Sequence, residues 1–204
     1  MTVRTIPLAE GPGAWLVLAV WLLGSIGTLW CYELRDWRPF SIRADRLFEI
    51  DRAQTDLWFR LNMAAPANGS RPATLTLVHL YNPDCRCDAY TQRHLQRLMD
   101  RYQSQGVRFV AALTPRIAMR ATLPHPLGIR TIASADRLLA AGVATAPAAL
   151  IFDAAGRLIY YGPYSDSAWC GSEGGLVEPV LDRALAGQKP VDALPVIRGC
   201  FCPW

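Results

Sequence analysis

Apolar and polar positions divide the chain into one long uncharged run, several short β-type runs and a few stretches of helical period. Residues 14–30, AWLVLAVWLLGSIGTLW, carry no charge over 17 positions and lie between Glu10 and the group Glu33, Arg35 and Asp36. That length reaches the lower end of what a helix needs to span a bilayer, and Trp15 and Trp30 at its ends suit the two interfaces. Leu47–Met63 places Leu47, Ile50, Leu57, Trp58, Leu61 and Met63 for one amphipathic helix, or for a strand followed by a helix. Residues 66–72, PANGSRP, are a loop by composition.

The next stretch organises the rest. Leu75–Tyr81 is a run of aliphatic, β-branched and aromatic residues that predicts a buried strand. Asn82-Pro83-Asp84 breaks it, with Asp84 expected as N-cap. A helix follows over Cys85–Ser104, with Tyr90, Leu95, Leu98, Met99 and Tyr102 near one face and Gly106 at its end. Val107–Leu113 predicts a second core strand, in parallel with the first across the helix. Thr114–Pro126 mixes a short helix with a loop, Ile129–Ile132 is a short strand, and Ala135–Ala141 is a short helix ended by Gly142. Ala148–Phe152 and Arg157–Tyr161 flank the turn Asp153–Gly156 as a hairpin. Ser172–Ala186 reads as a last helix ending at Gly187, with Gly174, Gly175 and Pro179 weakening its first half.

These elements divide the chain into a tail (1–13), a transmembrane helix (14–31), a connector with an amphipathic segment (32–70), an α/β domain (71–187) and a tail (188–204). Residues 14–30 are expected to meet the lipid bilayer as an uncleaved single anchor, because Arg4 alone supplies the basic flank of a signal peptide and no clean cleavage site follows. Arg35, Arg38, Arg43 and Arg46 follow the segment, which on the positive-inside rule keeps the domain inside. Large domains translocate regardless of flanking charge, and the cysteine content suits an oxidising compartment. The expectation is therefore a single-pass protein of the inner (cell) membrane with its soluble domain on the periplasmic, extracytoplasmic side. The formal charge of +4, from 21 basic and 17 acidic residues, is small and dispersed and makes no case for nucleic acid. Arg93, Arg97 and Arg101 form a stripe that reads as a solvated helix face.

The candidate chemistry lies in six cysteines, at 31, 85, 87, 170, 200 and 202. Cys85 and Cys87 stand at a helix start, where unpaired N–H groups and the helix dipole stabilise a thiolate. Cys85, nearest the start and beside Arg86, is the candidate nucleophile. Cys87 lies about 200° around an ideal helix from Cys85, so a bond between the two would distort the first turn and be easily reduced. Alternatively Cys87 pairs elsewhere, with Cys200 and Cys202 of the tail as a resolving pair and Cys170 as a further disulfide candidate. Permanent disulfides stapling the tail to the core are the structural reading. Two Cys-x-Cys pairs could instead give thiolates to Cu(I) or Zn(II), with Cys85, Cys87, Cys200 and Cys202 as ligands and His125 as an added one. His94 lies about 10 Å along the helix from Cys87, too far to share a metal. His79, inside the strand, reads as a packed or hydrogen-bonded residue.

The strand, the Asn82-Pro83-Asp84 break and the helix opening on Cys85-Arg86-Cys87 resemble the active-site region of the thioredoxin-like superfamily. The likeness runs from about Arg71 to Gly187. It departs at the motif: one residue separates the cysteines where Trp-Cys-x-x-Cys has two, and no Trp precedes them. The Asn-Pro-Asp-Cys-x-Cys helix start is also similar to membrane-anchored thioredoxin-like domains of unassigned function. The resemblance implies a thioredoxin-like α/β fold, a mixed sheet flanked by helices, and places Pro147 as a cis-proline lying against the active-site cysteine. It implies thiol–disulfide exchange through Cys85 and Cys87 with a protein thiol or disulfide as partner and no cofactor. A peroxidase is disfavoured, since the residues before Cys85 lack the Pro-x-x-x-Thr/Ser-x-x-Cys pattern. A non-catalytic, disulfide-stapled assembly module is the remaining reading.

Overall fold

The computed structural model describes residues 12–31, 37–39, 50–63, 73–119, 125–165, 175–188 and 198–204, with the side chains of 37–39 and 198–200 left aside. The chain divides into two compact units after Asp36. In the first, α1 (Pro12–Leu29) is an 18-residue helix, long and apolar enough to cross a membrane. Its side chains are all exposed. Cys31, just beyond it, is a free and exposed thiol.

The second unit runs β1 (Trp37–Pro39), α2 (Arg52–Met63), β2 (Leu75–Leu80), α3 (Arg86–Tyr102), β3 (Val107–Ala112), α4 (Pro115–Ala118), β4 (Arg130–Ile132), α5 (Asp136–Ala140), β5 (Thr145–Ala146), β6 (Ala148–Asp153), β7 (Leu158–Gly162), α6 (Val177–Leu185), β8 (Arg198–Cys200) and β9 (Cys202–Pro203). Five strands make the main sheet in the order β4-β3-β2-β6-β7. β2 is parallel to β3 and antiparallel to β6, so the sheet is mixed about its central strand. Every residue of β2 is buried, Thr76 and His79 included, which is why its sequence lacks the strict apolar–polar alternation of a strand with one solvent face. This is the thioredoxin-like fold.

Alternation along β2 splits the core in two. Val78 and Leu80 pack with Trp58 and Phe59 of α2, Leu138 of α5, and Leu150 and Phe152 of β6. Leu75 and Leu77 face Leu95, Leu98 and Tyr102 of α3 and Val177, Val180 and Leu181 of α6. His79 has the same parity as Leu75 and Leu77, so it points to the α3 side. Asp51 starts α2 by accepting from Gln54 N–H, and Trp58 Nε1–H donates to Ser134 O at 2.6 Å, docking α2 beside α5. In the β6–β7 turn Gly156 has φ +75°, and a Cβ there would stand 2.9 Å from the Phe59 ring.

Three local expectations change. The N-cap of α3 is Cys85 and not Asp84, because Asn82 folds the break into a turn: its side-chain oxygen accepts from Asp84 N–H, and its carbonyl from Cys85 N–H. The inward face of α3 is Cys87, Asp88, Thr91, His94, Leu95, Leu98 and Tyr102, while Tyr90 points to solvent against Arg93. Polar residues thus take inward positions in the first half of the helix, where hydrophobic periodicity does not register them. The last helix is shorter than expected, Val177–Leu185, with Pro179 in its first turn, where a missing N–H costs little. The segment 66–72 lies outside the described residues.

Candidate functional site

The break after β2 delivers Cys85 to the start of α3, with its backbone extended at φ −88° and ψ 119°. No side-chain hydrogen bond caps the helix there, so the sulfur at the N-cap stands at the positive end of the helix dipole. Its partner is Cys202, 117 residues on, at an S–S distance of 2.06 Å and a Cα–Cα distance of 5.9 Å. The bond Cys85–Cys87 is therefore not the one formed. Cys87 is fully buried and also disulfide-bonded. The sulfurs of Cys85, Cys87 and Cys202 all lie within 4.8 Å of one another.

The tail reaches the helix start as a strand. β9 pairs antiparallel with β5, matching Ala146 to Cys202 and Thr145 to Pro203. The Ala146–Pro147 peptide is cis, and Ala146 O lies 3.8 Å from Cys85 Sγ, a contact rather than a hydrogen bond because the bonded sulfur carries no proton. Trp204 N–H donates to Ala144 O and its indole N–H to Tyr81 O at 3.2 Å, while the Asn82 amide donates to Pro203 O at 3.1 Å. Phe201 is buried in the core on the α2 side of the sheet. Upstream, β8 pairs with β1.

Under the first turns of α3 lies a buried polar cluster. His79 is fully buried, with Nδ1 2.9 Å from the Tyr164 hydroxyl and Nε2 3.2 Å from Asp88 Oδ1, an ion-pair distance without hydrogen-bond alignment. A proton on Nε2 toward the carboxylate leaves Nδ1 to accept from Tyr164, the assignment that serves both neighbours. Asp88 Oδ2 accepts from the Gln92 amide at 2.8 Å, and that amide is 3.3 Å from His125 Nε2. His125 Nδ1 accepts from Leu127 N–H at 3.2 Å, so both of its ring nitrogens face groups of the domain. Farther along α3, His94 Nε2 meets Glu178 Oε1 of α6 at 2.6 Å.

This cluster makes the fold acid-sensitive. Burial, and secondarily the neighbouring His79, push His125 down to about 4 against the opposing pull of Asp88. Burial alone would raise Glu178, but the hydrogen bond from His94, a backbone N–H and the charges of His94 and Arg97 together hold it below its usual value. An imidazole depressed in the folded state takes up its proton first in the unfolded chain, so stability is complete above about pH 6.5 and falls toward pH 4. A depressed carboxyl acts in the same direction, its contribution lost as pH falls below the usual carboxylate value. Urea unfolding across pH 4 to 7 should show stability dropping by on the order of 2 kcal/mol through the His125 window. The drop should shrink in His125→Gln; an unchanged slope in that variant would assign it to other groups.

Of the residues singled out from sequence, the fold brings Cys85, Cys87, Cys202 and Pro147 together. Cys170 lies outside the described residues, and Cys200 is described only as backbone of β8. Asp88, Gln92 and Tyr164 were not marked by the sequence reading. The available signal was a charged residue at an inward helical position beside Cys87, together with a histidine inside an apolar strand.

A family model described as Domain of unknown function (DUF6436) matches residues 55–204. No curated protein matches the sequence. Among solved structures, a hypothetical protein from Sinorhizobium meliloti 1021 is 17% identical with a TM-score of 0.50, covering 65% of this chain and 79% of that one. An uncharacterized conserved protein from Geobacillus kaustophilus is 21% identical with a TM-score of 0.48, covering 64% and 76%. A thioredoxin-like protein solved in solution in its oxidized form is 19% identical with a TM-score of 0.39, covering 57% and 81%. At 17% identity the first of these likenesses concerns the fold alone.

Proposed function

The chain belongs to the DUF6436 family, a domain of unknown function, and we propose that it is a thiol–disulfide exchange protein whose exchanging bond is Cys85–Cys202. One observation carries this reading. The helix-start cysteine is bonded to a cysteine on a two-residue terminal strand, beside cis Pro147, rather than to a residue of a large packed element. In the reduced protein the Cys85 thiolate, stabilised at the start of α3, attacks a sulfur of a client disulfide and expels the client's other sulfur as a thiolate. Cys202 then attacks Cys85 Sγ of the mixed disulfide, re-forming the tail bond and releasing the client's remaining thiolate, so the client gains two electrons. The partner class is a protein thiol or disulfide. The reading includes a single-pass anchor in the inner membrane with the domain on the periplasmic side. Cysteines oxidised in pairs within the domain support that placement.

The test is differential alkylation with mass-spectrometric mapping of the full chain, titrated through thiol–disulfide buffers from about −120 to −300 mV, where exchanging protein disulfides lie. Reversible opening of Cys85–Cys202 within that range is expected. A bond still closed below about −300 mV is a structural staple, and the exchange reading then fails. Run on spheroplasts with membrane-impermeant reagents, the same mapping reports the side of the membrane. A second reading is favoured by the three sulfurs within 4.8 Å. Thiolates about 2.3 Å from a tetrahedral ion are about 3.8 Å apart, so once reduced these could hold Cu(I) or Zn(II) with shifts of about an ångström. Adding either ion to the reduced protein would then protect three thiols from alkylation together.

A further inference from the structure

We infer that electrons enter this protein at Cys202: an incoming thiolate attacks the tail sulfur and expels Cys85, so the C-terminal segment is a redox arm and not only a resolving residue. This rests on the exchange reading and adds a direction to it. Attack on a disulfide sulfur proceeds in line with the bond being broken, and which sulfur is struck depends on access and on the stability of the departing thiolate. Both point the same way here.

Access comes first. Cys85 is 3% exposed and Cys87 is fully buried, with Ala146 O 3.8 Å from the Cys85 sulfur and the third sulfur within 4.8 Å. A thiol attacking Cys85 opposite its bond to Cys202 would have to pass through the residues that bury it. Cys202 is only half-buried and is followed by exposed Pro203. The leaving group comes second. Expelled from Cys202, the electron pair settles on Cys85, at the N-cap of a 17-residue helix whose dipole stabilises a thiolate. Expelled the other way, it would settle on Cys202, on a two-residue strand with no such support.

With glutathione as reductant the step balances. The glutathione thiolate forms a new bond to Cys202 Sγ, the Cys85–Cys202 bond breaks, and Cys85 leaves as a thiolate. A second glutathione thiolate attacks the glutathione sulfur of that adduct, giving glutathione disulfide and free Cys202. Two thiols are oxidised and one disulfide is reduced. The hydrogen bonds from Trp204 and Asn82, with the β5–β9 pairing, are what hold the arm, and its release uncovers Cys85. The relay therefore has two ends: reductant arrives on the arm, and the client is met at the helix.

The oxidised full-length chain in detergent is exposed briefly to excess glutathione, quenched with acid, alkylated and mapped by mass spectrometry. Glutathione on Cys202 with alkylated Cys85 is expected, at ten times or more the reverse arrangement. Because the freed Cys85 can expel glutathione again, the same mapping is done with sulfite, whose S-sulfonate marks the sulfur attacked. Sulfonate on Cys202 supports the inference. Adducts on Cys85 with either reagent overturn it and leave exchange itself standing. If neither reagent opens the bond in the folded protein, the inference and the exchange reading fail together.

Discussion

Replacing Cys202 by Ser is expected to lower the melting temperature of the full-length protein by about 10 to 20 °C, with Cys85→Ser giving a similar shift. The bond joins residues 117 apart in sequence. Closing a loop of that length removes about 4 to 5 kcal/mol of chain entropy from the unfolded state when no second bond already closes it. Parent and variants therefore all carry Cys87→Ser, which opens the bond at Cys87. For a chain of this size each kcal/mol is worth about 2 to 4 °C. Circular dichroism melts of the two single variants and the oxidised parent in detergent measure it. Shifts below about 3 °C would show that the rest of the fold already confines the tail, since Phe201 buried in the core can hold the arm without the bond. The quantity has a second expression. If the oxidised fold is more stable than the reduced one by that much, the bond is harder to reduce than in the unfolded chain by about 100 mV. The melt and the redox titration therefore check one another.

Asp88→Ala is expected to cost about 3 kcal/mol or more, read from urea unfolding near pH 7. His79 and Asp88 are both almost wholly buried and meet at 3.2 Å, with Tyr164 and Gln92 as their other partners. Removing the carboxylate leaves His79 and the Gln92 amide facing a void away from water, the situation in which broken buried pairs cost most. The double variant His79→Leu with Asp88→Ala should lose less than the sum of the two single variants, because the partner left stranded by each is gone. Strictly additive losses would mean that the pair interacts weakly and that each side chain is held by its other neighbours. The position matters for the site as well, since Asp88 follows Cys87 directly and the cluster supports the opening turns of α3.

Most of the central fold could be read from local pattern. The run through Leu80 is apolar because β2 is covered on both faces, and such a strand announces itself without neighbours. The hairpin around Asp153 and Gly156 and the parallel pairing of β2 with β3 follow from turn chemistry and crossover length. Helix ends were less legible. Asp84 is a good N-cap by type, yet Asn82 uses the break for its own turn and moves the cap to Cys85. Single-residue preferences of this kind compete within about one kcal/mol, so neighbouring hydrogen bonds decide them.

Residue pattern alone shows a helix with cysteines at its start leaving a buried strand, an apolar segment long enough to span a membrane ahead of it, and sulfur as the chemistry to expect. Those properties are local, set by residues a few positions apart. Long-range packing sets which sulfur Cys85 meets, pairs Cys202 and Pro203 as a strand on β5, and gathers His79, Asp88 and Tyr164 in one buried site. Pairing over 117 residues carries no periodic or compositional trace. It exists only where the folded chain lays Cys202 beside Ala146 on β5 and buries Phe201 in the core.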